Sequence, residues 1–352
     1  NSSDKILKGK KIKLEIKEKE LVLREAEKEI LHLIQVIPNI LLPEVPEGND
    51  ASDNVILRQQ ENLPEFKFSP KSYLELGENL DLIDISRATK MAGSRFSYLK
   101  NELVLMQVAL LSLVFETAQE FNFQPVIPPV MIKPELMDLL GYSSLTENNI
   151  YLIEKDNLNL VGTSEQSIAA MHQGERLADL PKRYIGYSTC FRREAGTYGR
   201  DLKGILRVHQ FDKAEFFSFC QAEKSQEEHS LIVQIQEKMM QLLKLPYRVV
   251  VLYDGDLAKP SAMTIDIESW LPSEARYLET HSSSNCTDYQ AEGLNISYQN
   301  DQQLSHVHTI NGTAFAMSRI LAVIMENYQQ EDGSILIPEA LQSRMNLKRI
   351  SR

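Results

Sequence analysis

Cysteine is nearly absent from this chain: Cys190, Cys220 and Cys286 are the only three in 352 residues. An odd number without Cys-x-x-Cys spacing argues against a disulfide framework and fits reduced thiols. A zinc site built from Cys190, Cys286 and a carboxylate would be one ligand short. Long apolar runs are missing too. None approaches the roughly 20 residues a membrane helix needs, and the N-terminus has no signal-peptide core. The expectation is therefore a cytoplasmic protein with no membrane contact. Nor is there an excess of positive charge. A net charge of −11 repels a polyanion at long range and argues against indiscriminate nucleic-acid binding unless basic residues cluster. The rest is ordinary for a globular protein, 43% hydrophobic and 25% charged, with chain enough for one large domain and an appendage.

Basic residues do cluster at the start, where Lys5, Lys8, Lys10, Lys11, Lys13, Lys17 and Lys19 stand against Asp4, Glu15 and Glu18. A solvated helical face and a nucleic-acid contact both fit that run. Over 12–37 two heptad series interlock, Ile16, Leu23, Ile30, Ile37 and Ile12, Lys19, Ala26, Leu33. This is a coiled-coil seam, and its apolar stripe needs a partner. Pro38, Pro43 and Pro46 end the helix and open an extended polar linker. The expected organisation is a helical arm over 1–38, a linker over 39–68 and a body over 69–352. Within the body, patterning predicts helices over 69–91, 99–120, 164–175 and 223–243, and strands over 157–162, 184–192 and 247–252. Pro128 and Pro129 interrupt a short β-like run after the second helix, which suggests a sheet edge.

Residues 190–215 read CFRREAGTYGRDLKGILRVHQFDKAE, two strand-like runs around a Gly-rich, basic loop. Strand side chains alternate faces, so Arg192 and Glu194 share a face, and after the loop so do Arg207, His209, Phe211, Lys213 and Glu215, which presents cations, carboxylates and an aromatic together. A structural strand would place Val, Ile or Leu there, because buried charges cost several kcal/mol unless paired or bound to a ligand. A solvated hairpin with surface ion pairs is the plainer alternative. The sharper reading is a nucleotide site, with guanidinium on phosphate, Phe on a purine and carboxylates on amino groups.

The same residues carry a resemblance. FRREAG, the loop GTYGRDLKG and RVHQFDKAE together resemble the second signature motif of class II aminoacyl-tRNA synthetases in its seryl-tRNA synthetase form. ETHSSSNCTDYQA over 279–291 and HTINGTAFAMSRILAVIMENYQQEDGSILIPEAL over 308–341 resemble the later motifs in the right order. The likeness extends over 37–341. It implies an α+β fold, a class II antiparallel sheet flanked by helices, with an N-terminal coiled-coil arm. The helix over 99–120 and the Pro-bearing run after it, with Pro129 as the fixed proline, resemble the first motif and imply a homodimer. The family has an antiparallel helical hairpin at the N-terminus that grips the variable arm of its tRNA. On that likeness residues 1–7 are the end of the first helix, most of which this sequence lacks.

The implied reaction is activation of L-serine by ATP to seryl-adenylate, then transfer to the 3′ end of tRNA(Ser). Such a site must align the reactants and neutralise phosphate charge. Arg192 would bridge the α-phosphate and the substrate carboxylate with its planar fork. Glu194 would meet the adenine edge, and Phe211, beside Arg207, would stack on the ring. Arg319 opens an apolar helix, where dipole and guanidinium together suit a phosphate. Glu279 and Ser282 match the family's divalent-ion ligands, and hard oxygens suit Mg2+. Thr163, Glu165 and Glu215 resemble the amino-acid pocket, with Asn311 and Thr313 as readers of the hydroxyl. Thr163 before Ser-Glu-Gln is also a capping pattern, and both roles can coexist.

Some positions depart from the family. Glu292 and Gly293 stand where a pair of arginines is usual, Met263 where Lys is usual and Ala258 where Gly is common. Two positive charges become one negative, which is expected to weaken a nearby phosphate or carboxylate partner and to reduce activity. Two rivals stay open: an enzyme of this kind that charges a carrier protein, and a non-catalytic dimeric paralogue.

Overall fold

Residues Ser2–Ile34 form one continuous helix, α1. The computed structural model describes residues 2–34, 37–60, 63–142, 149–195, 204–300 and 303–352. It divides the chain into two units, Asn1–Pro38 and Asn39–Arg352. The helix end expected near Leu7 is not there. A single Gly9 costs a helix only about 1 kcal/mol, too little to break a run otherwise rich in Lys, Glu and Leu. Ile16, Leu23 and Ile30 of the seam are exposed along α1.

The body is organised by an eight-stranded sheet. Its strands are β1 (Val55–Gln59), β2 (Gln124–Val126), β3 (Lys182–Phe191) and β4 (Gln210–Cys220). They continue with β5 (Tyr247–Val251), β6 (Met263–Leu271), β7 (Arg276–Asn285) and β8 (His308–Ala316). The spatial order is β1-β5-β6-β7-β8-β4-β3-β2. Neighbours run antiparallel, as the family likeness implies, except the edge pair β2 and β3, which is parallel. The helices used below are α2 (Glu102–Glu120), α3 (Pro134–Leu139), α4 (Ser164–Ala170), α5 (Ser225–Leu242), α6 (Tyr289–Leu294) and α7 (Met317–Asn327).

Strand β4 shows how the sequence divides the two faces. Ala214, Phe216 and Cys220 enter the main apolar core, beneath α2, α5 and α7. Phe217 and Phe219 enter a second core shared with α4 and α6. Period two then puts Phe211, Lys213 and Glu215 on the face of the second core. The sheet thus carries a charged patch with an apolar continuation on one strand face. Helix α2 is long and apolar enough, by length and composition alone, to cross a membrane. Here Leu103, Met106, Leu110 and Val114 bury one side of it in the main core.

Three predicted segments differ. The helix expected over 69–91 is two, Tyr73–Asn79 and Ile85–Ala92. Asp81 breaks it with φ of 51°, and the Asp84 carboxylate accepts the Arg87 N–H at 2.8 Å to cap the second. The helix expected over 164–175 stops at Ala170, before a turn at Gly174, where φ is 73°. The segment read as a linker is docked on the body. Asn39 Nδ2 donates to the carbonyls of Pro260 and Cys286, both at 2.8 Å, and β1 pairs with β5.

Candidate functional site

A cavity of about 740 Å3 opens over the sheet, and each of the twelve residues given a role above lines it. The loop over 196–203 lies outside the described residues. Where the hairpin is described, Phe211, Lys213 and Glu215 project from β4, whereas Arg192, Glu194 and Arg207 lie beyond the strand ends. His209 does not share their face, contrary to the alternation. Its Nδ1 meets the Arg192 carbonyl at 3.0 Å, and its ring packs near Phe96 and Tyr151.

The charges in the cavity are mostly paired. Glu194 Oε2 accepts from Arg207 Nε at 2.6 Å, Glu279 Oε1 meets Arg319 Nη1 at 2.9 Å, and Lys213 Nζ lies 2.8 Å from Glu215 Oε2. Among the cations lining the cavity Arg192 is the exception. Among the described residues no carboxylate pairs with it; its Nε donates to the Gly162 carbonyl at 3.3 Å, and its guanidinium lies 5.5 Å from the Phe211 ring centre. A planar fork so placed is free to receive an anion. Glu194 has φ of 49°, a left-handed conformation that costs a non-glycine residue about 1 kcal/mol or more. That turn sets its carboxylate against Arg207.

Two bulges bring the remaining groups onto one face. On a regular strand Glu279 and Ser282, three apart, would point to opposite sides. The β6–β7 register slips between Ile267 and Glu268, leaving Thr280 as the extra residue. The slip turns Glu279 and Ser282 into the same cavity. Likewise Glu215 faces Thr313 because the β4–β8 register shifts at Ala214, with Ala314 extra. Asn311, two residues on, shares that face and donates to Cys286 Sγ at 3.6 Å.

Thr163 takes the capping role that its sequence pattern suggested. It is the N-cap of α4, and its hydroxyl donates to Glu215 Oε2. Glu165 and Glu215 are only 4% and 2% exposed. Burial, followed by the charge of Glu215, pushes the Glu165 carboxyl up to about 7. Its Oε1 accepts from Tyr142 Oη at 3.0 Å and Gln290 Nε2 at 2.7 Å. Sequence reading gave neither residue a role, since no spacing links them. At Glu279 desolvation alone would raise the pKa, yet Arg319, then Arg192 and Lys213, hold it below the usual value. Asp266, also missed, faces Ser282 across β6 and β7. Its Oδ1 is buried and has no hydrogen-bond partner among the described residues.

The atypical positions fall elsewhere. Met263 is buried in the main core, Glu292 is exposed on α6, and Gly293 packs against α3; none of the three lines the cavity, although Ala258 does. Among the described residues no group of three or more His, Cys, Asp or Glu is placed to hold a metal ion. Cys190 and Cys286 are buried free thiols.

Residues 151–328 match the profile described as the class II core domain of tRNA synthetases for G, H, P, S and T. A serine–tRNA ligase of Dictyoglomus thermophilum is 44% identical over 328 residues, 92% of this chain and 77% of the relative. Among solved structures, seryl-tRNA synthetase from Pyrococcus horikoshii complexed with ATP superposes with a TM-score of 0.90 at 39% identity, over 94% of this chain and 79% of that one. The cytoplasmic serine–tRNA ligase of Naegleria fowleri, in complex with AMP, gives 0.88 at 33% identity, over 96% and 81%.

Proposed function

The chain belongs to the seryl-tRNA synthetase family of class II aminoacyl-tRNA synthetases, and from that premise we propose that it activates L-serine with ATP and charges tRNA(Ser). The observation that supports this most is Arg192, a guanidinium with no carboxylate partner among the described residues, which lies 5.5 Å from the Phe211 ring centre and lines the same cavity as the buried carboxylates Glu165 and Glu215. An anion drawn to Arg192 and an ammonium drawn to the carboxylates would be held side by side. Serine carries both.

In the first step a serine carboxylate oxygen attacks the α-phosphorus of ATP; a P–O bond forms, the bond to the bridging oxygen breaks, and pyrophosphate leaves. Arg192 spans the incoming carboxylate and the α-phosphate and neutralises both, which removes the repulsion between two anions. Phe211 stacks on the adenine, and Glu194 accepts from its amino edge. Arg207 and Arg319 meet the outer phosphates, so the Arg207–Glu194 and Arg319–Glu279 pairs act as placeholders until ATP arrives. Glu165 and Glu215 accept from the ammonium of serine, while Asn311 and Thr313 bond its hydroxyl. In the second step the terminal tRNA hydroxyl attacks the acyl carbon, AMP leaves, and the hydroxyl proton is lost. Neither step forms a bond to the protein.

Glu279 and Ser282 would hold Mg2+. The fit rests on hard oxygen donors on one face and on the bare, buried Oδ1 of Asp266 beside them. When bound, that ion neutralises the charge that develops on the pyrophosphate. A cytoplasmic homodimer completes the reading. It is supported by the outward face of α2, where Val108 is 61% exposed, and by Ile127, 80% exposed, before the prolines.

Serine-dependent exchange of pyrophosphate into ATP is the test, followed by charging of serine tRNA. If exchange does not exceed that of Arg192→Ala, the enzyme assignment fails. Exchange with no transfer to tRNA would favour a carrier-protein acceptor.

A further inference from the structure

The Glu165 carboxylate is held by two donors from different elements. It is the second residue of α4, so its charge favours the helix dipole, but it is buried with a second carboxylate in view. Both hydrogen bonds it receives arrive at one atom, Oε1, from Tyr142 Oη at 3.0 Å and Gln290 Nε2 at 2.7 Å. Oε2 makes no hydrogen bond among the described residues and is left to the cavity. The Gln290 amide is itself oriented, because Thr309 Oγ1 donates to its Oε1 at 2.8 Å. That bond fixes which end of the amide faces Glu165. Gln290 and Thr309 are both essentially inaccessible. The four residues come from α4, the turn after α3, α6 and β8.

We infer that Tyr142, Gln290 and Thr309 are positioning residues, a donor relay that holds Glu165 as a carboxylate with Oε2 presented to the amino group of the amino-acid substrate. This deepens the reading above and rests on it. A carboxylate can only accept, so Gln290 must offer its NH2 and Tyr142 its O–H. A proton on Oε2 would leave Oε1 a neutral carbonyl oxygen, a weaker acceptor for both donors than a carboxylate oxygen. The relay therefore favours the charged form against burial and against Glu215. The charged and titratable groups that face Glu165 are Glu215 and Lys213 from β4, Tyr142 after α3 and Cys286 after β7. Of these Lys213 favours the carboxylate, and Glu215 opposes it. The hydroxyl of Tyr142 stays protonated, since burial and then Glu165 push its pKa well up.

The full-length chain is assayed by pyrophosphate exchange between pH 6 and 9 (about the range that brackets a group titrating near 7). Tyr142→Phe and Thr309→Val each remove one hydroxyl; Thr309→Ser keeps it. Tyr142→Phe should raise the serine KM about tenfold, the weight of one hydrogen bond to a charged group, and Thr309→Val should raise it by less, since its hydroxyl bonds a neutral amide, with the ATP KM nearly unchanged in both. The acid limb of kcat/KM for serine should move to higher pH, because a carboxylate that loses a donor is easier to protonate. Thr309→Ser should restore both. Serine and ATP KM rising together, or an unmoved acid limb, would overturn the relay. If no serine-dependent exchange occurs at all, the functional reading falls. The relay is then judged separately by carboxyl NMR titration, in which the Glu165 pKa must rise in Tyr142→Phe. Should Thr309→Val not fold, Tyr142→Phe decides.

Discussion

Gly293→Ala should destabilise the protein, although alanine is the better helix former. Gly293 lies within α6, and a Cβ there would stand 2.2 Å from the carbonyl oxygen of Leu139 and 3.1 Å from its carbon, at the end of α3. The obstructing atoms are backbone, so no rotamer change relieves them. The two helices must part by about 1 Å to reach ordinary contact distance. They share one apolar core, with Met137 and Leu140 on the α3 side and Ala291 and Leu294 on α6. Overpacking of this kind costs about 1–3 kcal/mol, against about 1 kcal/mol gained in helix propensity, leaving a net loss of up to roughly 2 kcal/mol. In a chain this long that lowers Tm by up to about 3 °C, readable by calorimetry. Because α6 carries Gln290 and α3 leads into Tyr142, the serine KM should rise too. A variant that melts at or above the parent with its serine KM unchanged would refute the reasoning. An arginine at 293 would meet the same obstruction. Glu292→Arg, on the exposed side of α6, should be tolerated.

Arg192→Lys should lower kcat/KM for exchange about tenfold to a hundredfold, because an ammonium is a single point and cannot span two oxygen groups. Its melting temperature should stay unchanged, and an equal exchange rate would remove the bridging role. Acid should weaken the fold through two buried imidazoles. Burial lowers His229 to about 4 and His281 to about 3, while both titrate near about 6.5 in the unfolded chain. The unfolded state therefore binds their protons first, so stability present above about 6.5 is lost as the pH falls toward 4 and 3. Urea midpoints at pH 7.5 and 5 (about one unit above and below the unfolded pKa and beyond) should differ less in His229→Gln than in the parent. Equal differences would sink the attribution.

What the sequence made legible was whatever strand alternation or end signals govern locally. Phe211, Lys213 and Glu215 lie inside β4 and share the face that period two assigns them. The same rule fails at His209, which precedes the strand, and a simple count fails at Glu279 and Ser282, where the bulge at Thr280 decides. A bulge is one unpaired residue and leaves no compositional mark in THSSS. Tyr142 and Gln290 were silent for another reason. Their meeting point, Glu165, depends on α3 and α6 packing together, and the close approach is permitted by Gly293, which reads in sequence only as a helix-weakening glycine. Met263 and Glu292 invited an electrostatic reading, yet one is core and the other faces solvent.

Pairing of β4 with β8 sets Glu215 opposite Thr313, two residues separated along the chain by β5, β6 and β7. Closing so long a loop is entropically slow. No short stretch of the chain therefore holds half a pocket that works alone; a partly folded molecule has the motifs but no place for nucleotide or serine. Either substrate then binds only the finished sheet and draws the population toward it by mass action, worth about 2.7 kcal/mol at a hundred times Kd. In the cell, nucleotide supply would become a folding aid as well as a reactant.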